Sequence, residues 1–389
     1  MRKMIEGSRA VAEAVGLCRP GVISAYPITP QTHIVEDLSQ LVADGKIDAE
    51  YVRVESEHSA ASVCLGAVAA GSRSYSATTS QGLMLMAEVL YNIAGMRLPL
   101  VITGVNRALS APLSIWNDQQ DTMALRDSGW LQLYAENSQE VLDMHIQAYK
   151  IAEDDRVLLP VMVCMDGFIL THTYESVDVP TQEEVDAFLP PYDPLYKLDP
   201  NDPYTLGAFA GPEMYQEMRF EIQRDALASK EVVKEVARDF QSAFGRWMGD
   251  VIDTYMIEDA ETIYVGLGTI VGTMKDWIDT RRERGDKIGL VKLRCFRPFP
   301  LEELREALSG AKRVVVLEKA VSVGAYGIVA AEIRAALYGQ ERTPPVHCGI
   351  TGLGGRDITF ATLDEMHERA EAGETEFFAG LRKELLEAS

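Results

Sequence analysis

Short apolar runs alternate with Ala-rich stretches of helical character along the first 175 residues. Runs of this length, bounded by Gly, Pro, Asn and Ser, are typical of buried strands. Strands that alternate with helices predict a parallel, doubly wound sheet of the α/β class. The predicted strands are Gly21–Tyr26, Tyr51–Val54, Ser74–Thr78, Leu98–Gly104, Trp130–Tyr134 and Val157–Met165.

The pattern changes in the middle of the chain and then restarts. Residues 176–205 are rich in Pro and Asp, which predicts an irregular segment that wraps the surface. A helical stretch is expected at about 211–259. We therefore predict a first domain at 1–235 and a smaller parallel α/β domain at 255–389. The predicted elements of the second domain are strands Thr262–Leu267, Ile288–Leu293 and Arg313–Glu318, and helices Gly272–Arg284 and Leu301–Gly310.

Charge and cysteine content narrow the possible functions. The net charge of −22 argues against binding to a nucleic-acid backbone or an anionic membrane. No CxxC motif occurs and no His stands at ligand spacing, so we expect no metal or iron–sulfur site built by this chain alone. The first residues lack a long apolar run, which favours a cytoplasmic location. The cysteines are Cys18, Cys64, Cys164, Cys295 and Cys348.

A rigid corner follows the first predicted strand. Pro27 and Pro30 fix φ and bias the residue before each of them away from helix. The corner holds Thr29 at the carboxyl end of a strand, where α/β sheets place ligands, so its hydroxyl can face a small substrate. A Pro-x-x-Pro pattern is also typical of an ordinary connection between strand and helix, and taken alone it favours that interpretation.

Glu57 stands at the start of a predicted helix made largely of Ala, Ser and Gly. Glu55 and Glu57 both lie where the helix dipole favours negative charge and where a carboxylate can cap free amides. We assign capping to Glu55. We expect Glu57 to face a desolvated pocket lined by small side chains, where its carboxyl group can exchange a proton with a bound heterocycle.

Two polar segments follow further strands. Thr78–Gly82 brings hydroxyls, a glutamine and helix-start amides to a strand end, although N-capping by Ser80 explains much of this pattern. Arg107, which follows the next strand, begins a long polar loop. Its planar guanidinium suits a carboxylate ligand, and an ion pair with Asp118 or Asp121 explains it equally well.

A glycine-rich turn at Gly266–Gly272 resembles a dinucleotide-binding turn. The third glycine comes one residue late, however, and no acidic residue follows the next strand at the expected place. We therefore interpret Gly266–Gly272, and likewise Gly352–Gly355, as turns without a ligand.

Several long blocks, in order over nearly the whole chain, resemble alpha subunits of the 2-oxoacid:ferredoxin oxidoreductase family, and among them those of the pyruvate:ferredoxin oxidoreductases. The blocks are YPITP at 26–30, ESEHSA at 55–60, TTSQGLMLM at 78–86, NRALSAPLSIWNDQQD at 106–121, RDSGW at 126–130, DGFILTHT at 166–173, FRPFP at 296–300 and GLGGRDIT at 352–359.

The resemblance implies an enzyme that uses thiamine diphosphate to decarboxylate a 2-oxoacid, transfers the acyl group to coenzyme A and passes electrons to ferredoxin. It implies a pyrimidine-type thiamine diphosphate domain followed by a domain similar to the C-terminal domain of transketolase. By resemblance, Glu57 protonates N1′ of the cofactor and so favours its reactive ylid, while Thr29 and Arg107 hold the substrate. The implied cofactor site comprises Glu57, Pro27, Ile28, Ser80 and Gln81.

The resemblance also implies partner subunits of the beta, gamma and delta types. The beta type supplies the diphosphate and Mg²⁺ site in this family, and the [4Fe-4S] clusters are expected on partners. In this chain the Gly-Asp pairs at 249–250 and 285–286 do not continue into the motif expected for a diphosphate site. We therefore expect the chain to be active only within a complex.

Three alternatives remain open at this stage. Segment Leu317–Gly324 departs from the aspartate, arginine and Ser-Phe-Gly associated with the pyruvate enzymes, although Thr29 and the whole 106–121 block favour pyruvate. The substrate can instead be oxalate or an aromatic or branched-chain 2-oxoacid, or the electron acceptor can differ. The alternative of a different class is a non-catalytic subunit for assembly or nucleotide binding that keeps the fold and has lost the chemistry.

Overall fold

Strands and helices alternate along the chain, as the apolar pattern predicts. A computed structural model describes residues 1–203 and 205–386; Tyr204 and 387–389, which fall in the predicted segments 176–205 and 255–389, lie outside the described residues. The strands are β1 Arg2–Glu6, β2 Val22–Ala25, β3 Glu50–Arg53, β4 Ser74–Thr78, β5 Val101–Asn106, β6 Leu131–Tyr134, β7 Val161–Asp166, β8 Tyr174–Asp178, β9 Ile252–Tyr255, β10 Thr262–Gly266, β11 Ile288–Leu293, β12 Cys295–Arg297, β13 Arg313–Glu318, β14 Val346–Ile350 and β15 Glu376–Phe378. The helices are α1 Gly7–Leu17, α2 Thr32–Ala43, α3 Glu57–Ala69, α4 Ser80–Gly95, α5 Gln120–Ala124, α6 Ser138–Ala152, α7 Gln182–Phe188, α8 Tyr215–Phe244, α9 Ile270–Glu283, α10 Leu301–Leu308, α11 Ile328–Leu337, α12 Phe360–Glu371 and α13 Lys383–Leu386.

The first sheet has the order β12-β6-β7-β5-β4-β2-β3. Its strands are parallel except for β12, which pairs with β6 in the antiparallel direction. Strands β4, β5 and β7 are buried along their whole length because helices cover both faces, as is typical of parallel sheets. The doubly wound sheet is confirmed, and the carboxyl ends of its strands meet at one edge.

The second sheet has the order β15-β14-β13-β10-β11-β9, with only β9 antiparallel to its neighbour. The connection after β11 adds β12 to the edge of the first sheet, where Cys295 pairs with Leu133. One apolar core extends from α3 and α4 to β10 and β13 and joins the two units. We retain 1–235 and 255–389 as proposed domain limits, with β12 exchanged from the second unit to the first.

Two predictions in the middle of the chain are wrong. Residues 176–205 contain the end of β8 and helix α7, because Thr181 and Glu184 form a capping box and Val185 and Phe188 bury one helix face. The helix predicted at 211–259 ends at Phe244, because Gly245 takes a left-handed conformation that terminates it. Strand β9 follows within the stretch that was predicted to be helical.

Several strands were not predicted from the sequence. Strands β1 and β8 form a separate antiparallel pair, and β14 and β15 extend the second sheet. All five cysteines are buried and unpaired. Across the residues that the structure describes, no helix combines the length and apolar character needed to cross a bilayer.

Candidate functional site

The proline corner between β2 and α2 is fixed by a buried side chain. Gln31 accepts a hydrogen bond from the Ile28 amide (3.2 Å) and donates to the Ala77 carbonyl oxygen on β4 (2.7 Å). Thr29 is exposed, and its hydroxyl makes no hydrogen bond with any residue in the described part of the chain. The corner therefore presents a free hydroxyl at the carboxyl edge of the first sheet.

Helix α3 begins at Glu57 and is capped by the residue before it. Ser56 accepts a hydrogen bond from the Ser59 amide (3.2 Å), whereas Glu55 is exposed and accepts from the Ser59 hydroxyl (2.6 Å). The predicted cap at Glu55 is wrong because the short serine side chain, on extended backbone, reaches the third helical amide directly. Glu57 is 7% exposed and is not needed for capping.

The start of α4 lies against the Glu57 side chain. A methyl group at Gly82 would lie 2.8 Å from Glu57 Oε1 and 2.5 Å from Thr78 Oγ1, so glycine is required for this close approach. The Glu57 carboxylate has no hydrogen bond or ion pair with the residues that the structure describes. The Oγ1 atoms of Thr78 and Thr79 are buried and equally unpartnered. Buried polar atoms are normally satisfied, so this group has free capacity for a polar ligand.

Ser80 connects the start of α4 to the loop after β5. The N-cap of α4 is Thr79, so the predicted capping by Ser80 is wrong. Ser80 has a φ of +49°, and its hydroxyl lies 2.6 Å from the Ala108 carbonyl oxygen and from Gln81 Oε1. Its amide donates to Asp121 Oδ2 (2.9 Å). Through these hydrogen bonds Ser80 fixes the start of α4 to the loop after β5. Gln81 follows Ser80 and precedes Gly82 in the chain.

Arg107 is buried and is held by main-chain oxygens. Its Nη1 donates to the Thr29 carbonyl oxygen (2.8 Å) and its Nε to the Ser114 carbonyl oxygen (3.0 Å). Within the described residues its guanidinium pairs with neither Asp118 nor Asp121, so the ion-pair explanation is wrong. Burial lowers the pKa of Arg107, although the nearby Asp121 acts in the opposite direction.

Asp121 accepts hydrogen bonds from several parts of the candidate site, a role that was not predicted from the sequence. Its fully buried carboxylate accepts from the amides of Ser80, Arg107 and Thr122 and from the Asn106 side chain, at 2.8–3.1 Å. Burial raises its pKa to about 7, against the effect of these hydrogen bonds. In the sequence it was only a possible partner for the Arg107 guanidinium, because only the fold brings the start of α4 to it.

Some of the predicted site residues are in direct contact with each other in the structure, and others are not. Thr29 and Arg107 are in contact, whereas Glu57 lies against Gly82 at the start of α4. A separate cavity of about 600 Å³ lies between the 107–121 loop and the second unit, and no predicted site residue lines it. Within 1–203 and 205–386, no group of three or more His, Cys, Asp or Glu side chains could hold a metal ion.

Comparisons with known proteins cover both halves of the chain. Residues 13–238 match the family described as pyruvate flavodoxin/ferredoxin oxidoreductase, thiamine diphosphate-binding. Residues 260–363 match the pyruvate:ferredoxin oxidoreductase core domain II. The fold and the matched families thus define a thiamine diphosphate-binding α/β protein. The chain belongs to the pyruvate:ferredoxin oxidoreductase family.

Relatives at high identity cover nearly the full length. The chain is 49% identical to "pyruvate synthase subunit PorA" of Methanothermobacter thermautotrophicus, over 98% of this chain and 99% of the relative. It is 50% identical to the PorA subunit of Methanosarcina barkeri, over 98% of this chain and 97% of the relative. It is also 45% identical to "ketoisovalerate oxidoreductase subunit VorA" of Pyrococcus horikoshii, over 96% of this chain and 95% of the relative.

Solved structures support the fold. A 2-oxoglutarate:ferredoxin oxidoreductase from Magnetococcus marinus matches with a TM-score of 0.71 and 18% identity, over 95% of this chain and 65% of that chain. This chain thus spans less than two thirds of the length of that protein. A split-gene transketolase matches with a TM-score of 0.54 and 13% identity, over 94% of each chain. These matches confirm the α/β fold over nearly the whole chain.

Proposed function

We propose that this chain is the alpha-type subunit of a multisubunit, CoA-acylating 2-oxoacid:ferredoxin oxidoreductase with pyruvate as substrate. The complex would convert pyruvate and coenzyme A to acetyl-CoA and CO₂ and pass two electrons to ferredoxin. The observation that carries the proposal is the buried, unpartnered carboxylate of Glu57, located at the sheet edge where Thr29 and Arg107 meet. Family membership and the PorA relatives at about 50% identity support it.

The residues around Glu57 fit the aminopyrimidine of thiamine diphosphate. Gly82 lets the Glu57 side chain lie directly against the start of α4, because a methyl group at Gly82 would come within 2.8 Å of Glu57 Oε1, and this packing would hold the carboxyl group in place for a ring nitrogen. The free hydroxyls of Thr78 and Thr79 and the amide of Gln81 can hydrogen-bond to ring substituents. When bound, thiamine diphosphate supplies the electron sink for decarboxylation. The cofactor site that we assign to this chain also includes Pro27 and Ile28 of the proline corner and Ser80 at the start of α4.

Glu57 would hold a proton at N1′ of the aminopyrimidine. Its burial excludes water, so the proton is shared between the carboxyl group and the ring nitrogen rather than with solvent. A carboxylate in this position needs no other partner, which agrees with its lack of hydrogen bonds within the described residues. Glu57 thus activates the cofactor without contacting the substrate.

Thr29 and Arg107 would orient the 2-oxoacid. The Arg107 guanidinium keeps N–H donors that the main-chain oxygens do not use, and the Thr29 hydroxyl is free. Together they can bind the carboxylate and the keto oxygen and hold the carbon–carbon bond that breaks in a reactive orientation. We assign the diphosphate–Mg²⁺ site and the [4Fe-4S] clusters to partner subunits of the beta, gamma and delta types.

A branched-chain 2-oxoacid is the second candidate substrate, because the ketoisovalerate oxidoreductase relative is 45% identical over nearly the whole chain. Purification of the native complex, followed by assays with a panel of 2-oxoacids, coenzyme A and a viologen dye, tests both candidates. We expect the highest kcat/KM with pyruvate. A higher kcat/KM with 2-ketoisovalerate would show that this branched-chain 2-oxoacid, and not pyruvate, is the substrate. A complex without activity on any 2-oxoacid would refute the proposed function.

A further inference from the structure

A buried cluster joins the two units behind the substrate loop. Its centre is Asp166, which ends β7 of the first sheet and is 1% exposed. Asp166 Oδ1 accepts from Asn117 Nδ2 (3.0 Å) and Gln119 Nε2 (3.4 Å), both in the 107–121 loop. Asp166 Oδ2 accepts from Thr269 N (3.0 Å), the Thr269 hydroxyl and Lys319 Nζ (3.1 Å), all in the second unit. We call these five residues the Asp166 cluster.

The glycine-rich turn after β10 has its ligand within the chain. A methyl group at Gly268, which has a φ of +77°, would lie 3.0 Å from Asp166 Oδ2 and 2.7 Å from Gln119 Nε2. Turns of this kind offer amide donors to an anion at the start of a helix. Here the anion is a carboxylate of the other unit, which explains why the turn resembles a phosphate-binding turn without its full motif.

Lys319 neutralises Asp166 from the end of β13. It is 4% exposed, its ammonium pairs with Asp166 and donates to Asn117 Oδ1, and its carbonyl oxygen accepts from the Gln119 amide (2.8 Å). Burial opposes ionisation of Asp166, but Lys319, Thr269 and Asn117 together hold the pKa of Asp166 below its usual range. Asp166 therefore carries its negative charge at neutral pH.

The Asp166 cluster binds the same loop that carries Arg107. The Arg107 side chain donates to Ser114, and the Ala108 amide donates to the Trp116 carbonyl oxygen (3.0 Å), next to Asn117. The second unit contacts the same stretch again, where the Gly354 amide donates to Asp118 Oδ2 (3.1 Å). A displacement of residues 117–119 would thus be transmitted to Arg107 through a short, hydrogen-bonded loop.

We propose that Lys319 and Asp166 are positioning residues for substrate binding: their pair across the two units fixes the 107–121 loop and thereby the guanidinium of Arg107. The proposal rests on the substrate role given to Arg107 above. It assigns to the second unit a part in recognition of the 2-oxoacid in addition to its structural part. A misplacement of about 1 Å in a binding group can cost up to roughly a hundredfold in rate, so the effect is measurable.

The experiment compares Lys319→Met with a matched control in the complete complex. Lys292 is also a buried lysine of the second unit (2% exposed), and it pairs with Glu136 and Glu140 of the first unit away from the 107–121 loop. We expect Lys319→Met to raise the KM for pyruvate about tenfold or more. Lys292→Met should lower the melting temperature by a similar amount but leave KM within about twofold.

Two further variants keep the test decisive if Lys319→Met assembles poorly. Asp166→Asn keeps the size of the side chain and should raise KM in the same way, and Lys319→Arg, which keeps the charge, should restore much of the affinity. A KM unchanged in Lys319→Met or in Asp166→Asn, with only a lower melting temperature, would overturn the positioning role. A wild-type complex that reduces no viologen with any 2-oxoacid would instead overturn the proposed function, and this inference with it.

Discussion

Nη1 of Arg107 donates a hydrogen bond of 2.8 Å to the carbonyl oxygen of Thr29, although 78 residues separate the two in sequence. The contact fixes the guanidinium against the proline corner. A guanidinium has five N–H donors, and the carbonyl oxygens of Thr29 and Ser114 use two of them. With respect to the described residues, three donors and the Thr29 hydroxyl thus remain for a substrate carboxylate.

Arg107→Gln should impair substrate binding without loss of the fold. Loss of hydrogen bonds to a charged ligand costs about 1.5–3 kcal/mol, which corresponds to a rise of roughly ten- to a hundredfold in the KM for pyruvate. Steady-state viologen reduction by the complex measures it. Arg126→Gln is the control, because Arg126 contacts the Met123 carbonyl oxygen and Asp127 instead of the corner. An equal KM in the two variants would argue against a substrate role for Arg107.

Thr29→Val and Thr29→Ser separate the hydroxyl from the shape of the corner. Valine keeps the branched side chain but cannot hydrogen-bond, so the KM for pyruvate should rise about tenfold. Serine keeps the hydroxyl and should stay within about threefold of the wild type. Since the Thr29 side chain has no hydrogen bond within the described residues, neither change should alter the melting temperature much. Wild-type kinetics in Thr29→Val would remove Thr29 from the site.

Gly82→Ala should weaken cofactor binding. The added methyl group would lie 2.7 Å from Glu57 Cγ and 2.8 Å from Glu57 Oε1, so the glutamate must move. Overpacking of this kind costs about 1–3 kcal/mol, and we expect the Kd for thiamine diphosphate to rise roughly tenfold in titrations of the cofactor-free complex. Gly95→Ala in the same helix is the control, because no atom of the described residues lies within 4 Å of its added methyl group. Equal affinity in both variants would show that Glu57 does not contact the cofactor.

His145 should make stability depend on pH below neutrality. Its Nδ1 donates to the Val141 carbonyl oxygen (2.6 Å) and its Nε2 accepts from the Thr103 hydroxyl (2.6 Å), so the ring is neutral. Burial lowers its pKa from 6.5 to about 4. Because the folded-state pKa is depressed, the stabilisation is present above pH 6.5 and is lost as the pH falls through about 4.

This shift corresponds to at most about 3 kcal/mol. His145→Gln cannot titrate, so the melting temperature of the wild type should fall more steeply between pH 7 and pH 4 than that of the variant. Thermal unfolding at several pH values provides the measurement. Parallel profiles of the two proteins would show that His145 does not contribute in this way.

The sequence predicted most of the fold because its strands are apolar, short and clearly separated. Strands β4, β11 and β13 have the predicted limits. Strand β12 was missed because a strand of three residues is too short to show periodicity, and it pairs with a strand of the other unit. Helix α7 was missed because the Pro and Asp content around it outweighed the capping box at Thr181.

Individual residues of the candidate site were predicted from the sequence, but the contacts between them were not. Thr29 and Arg107 stood out as polar groups at strand ends, but their contact depends on the order of strands in the sheet. Asp121 and Lys319 could not be found, because a buried charge has no local sequence signature and its partners lie far away in the chain. Capping was misassigned at Glu55 and Ser80 because an adjacent polar residue takes the N-cap position at each helix start, Ser56 at α3 and Thr79 at α4.

The assignment of Glu57 as the group that activates the cofactor is tested most directly by Glu57→Gln in the reconstituted complex. Glutamine keeps the size of the side chain but cannot exchange a proton with N1′, so pyruvate-dependent viologen reduction should fall at least about a hundredfold. Glu55→Gln, two residues earlier and exposed, is the matched control and should retain wild-type activity. Undiminished activity in Glu57→Gln would contradict the catalytic assignment and favour a subunit that serves assembly alone.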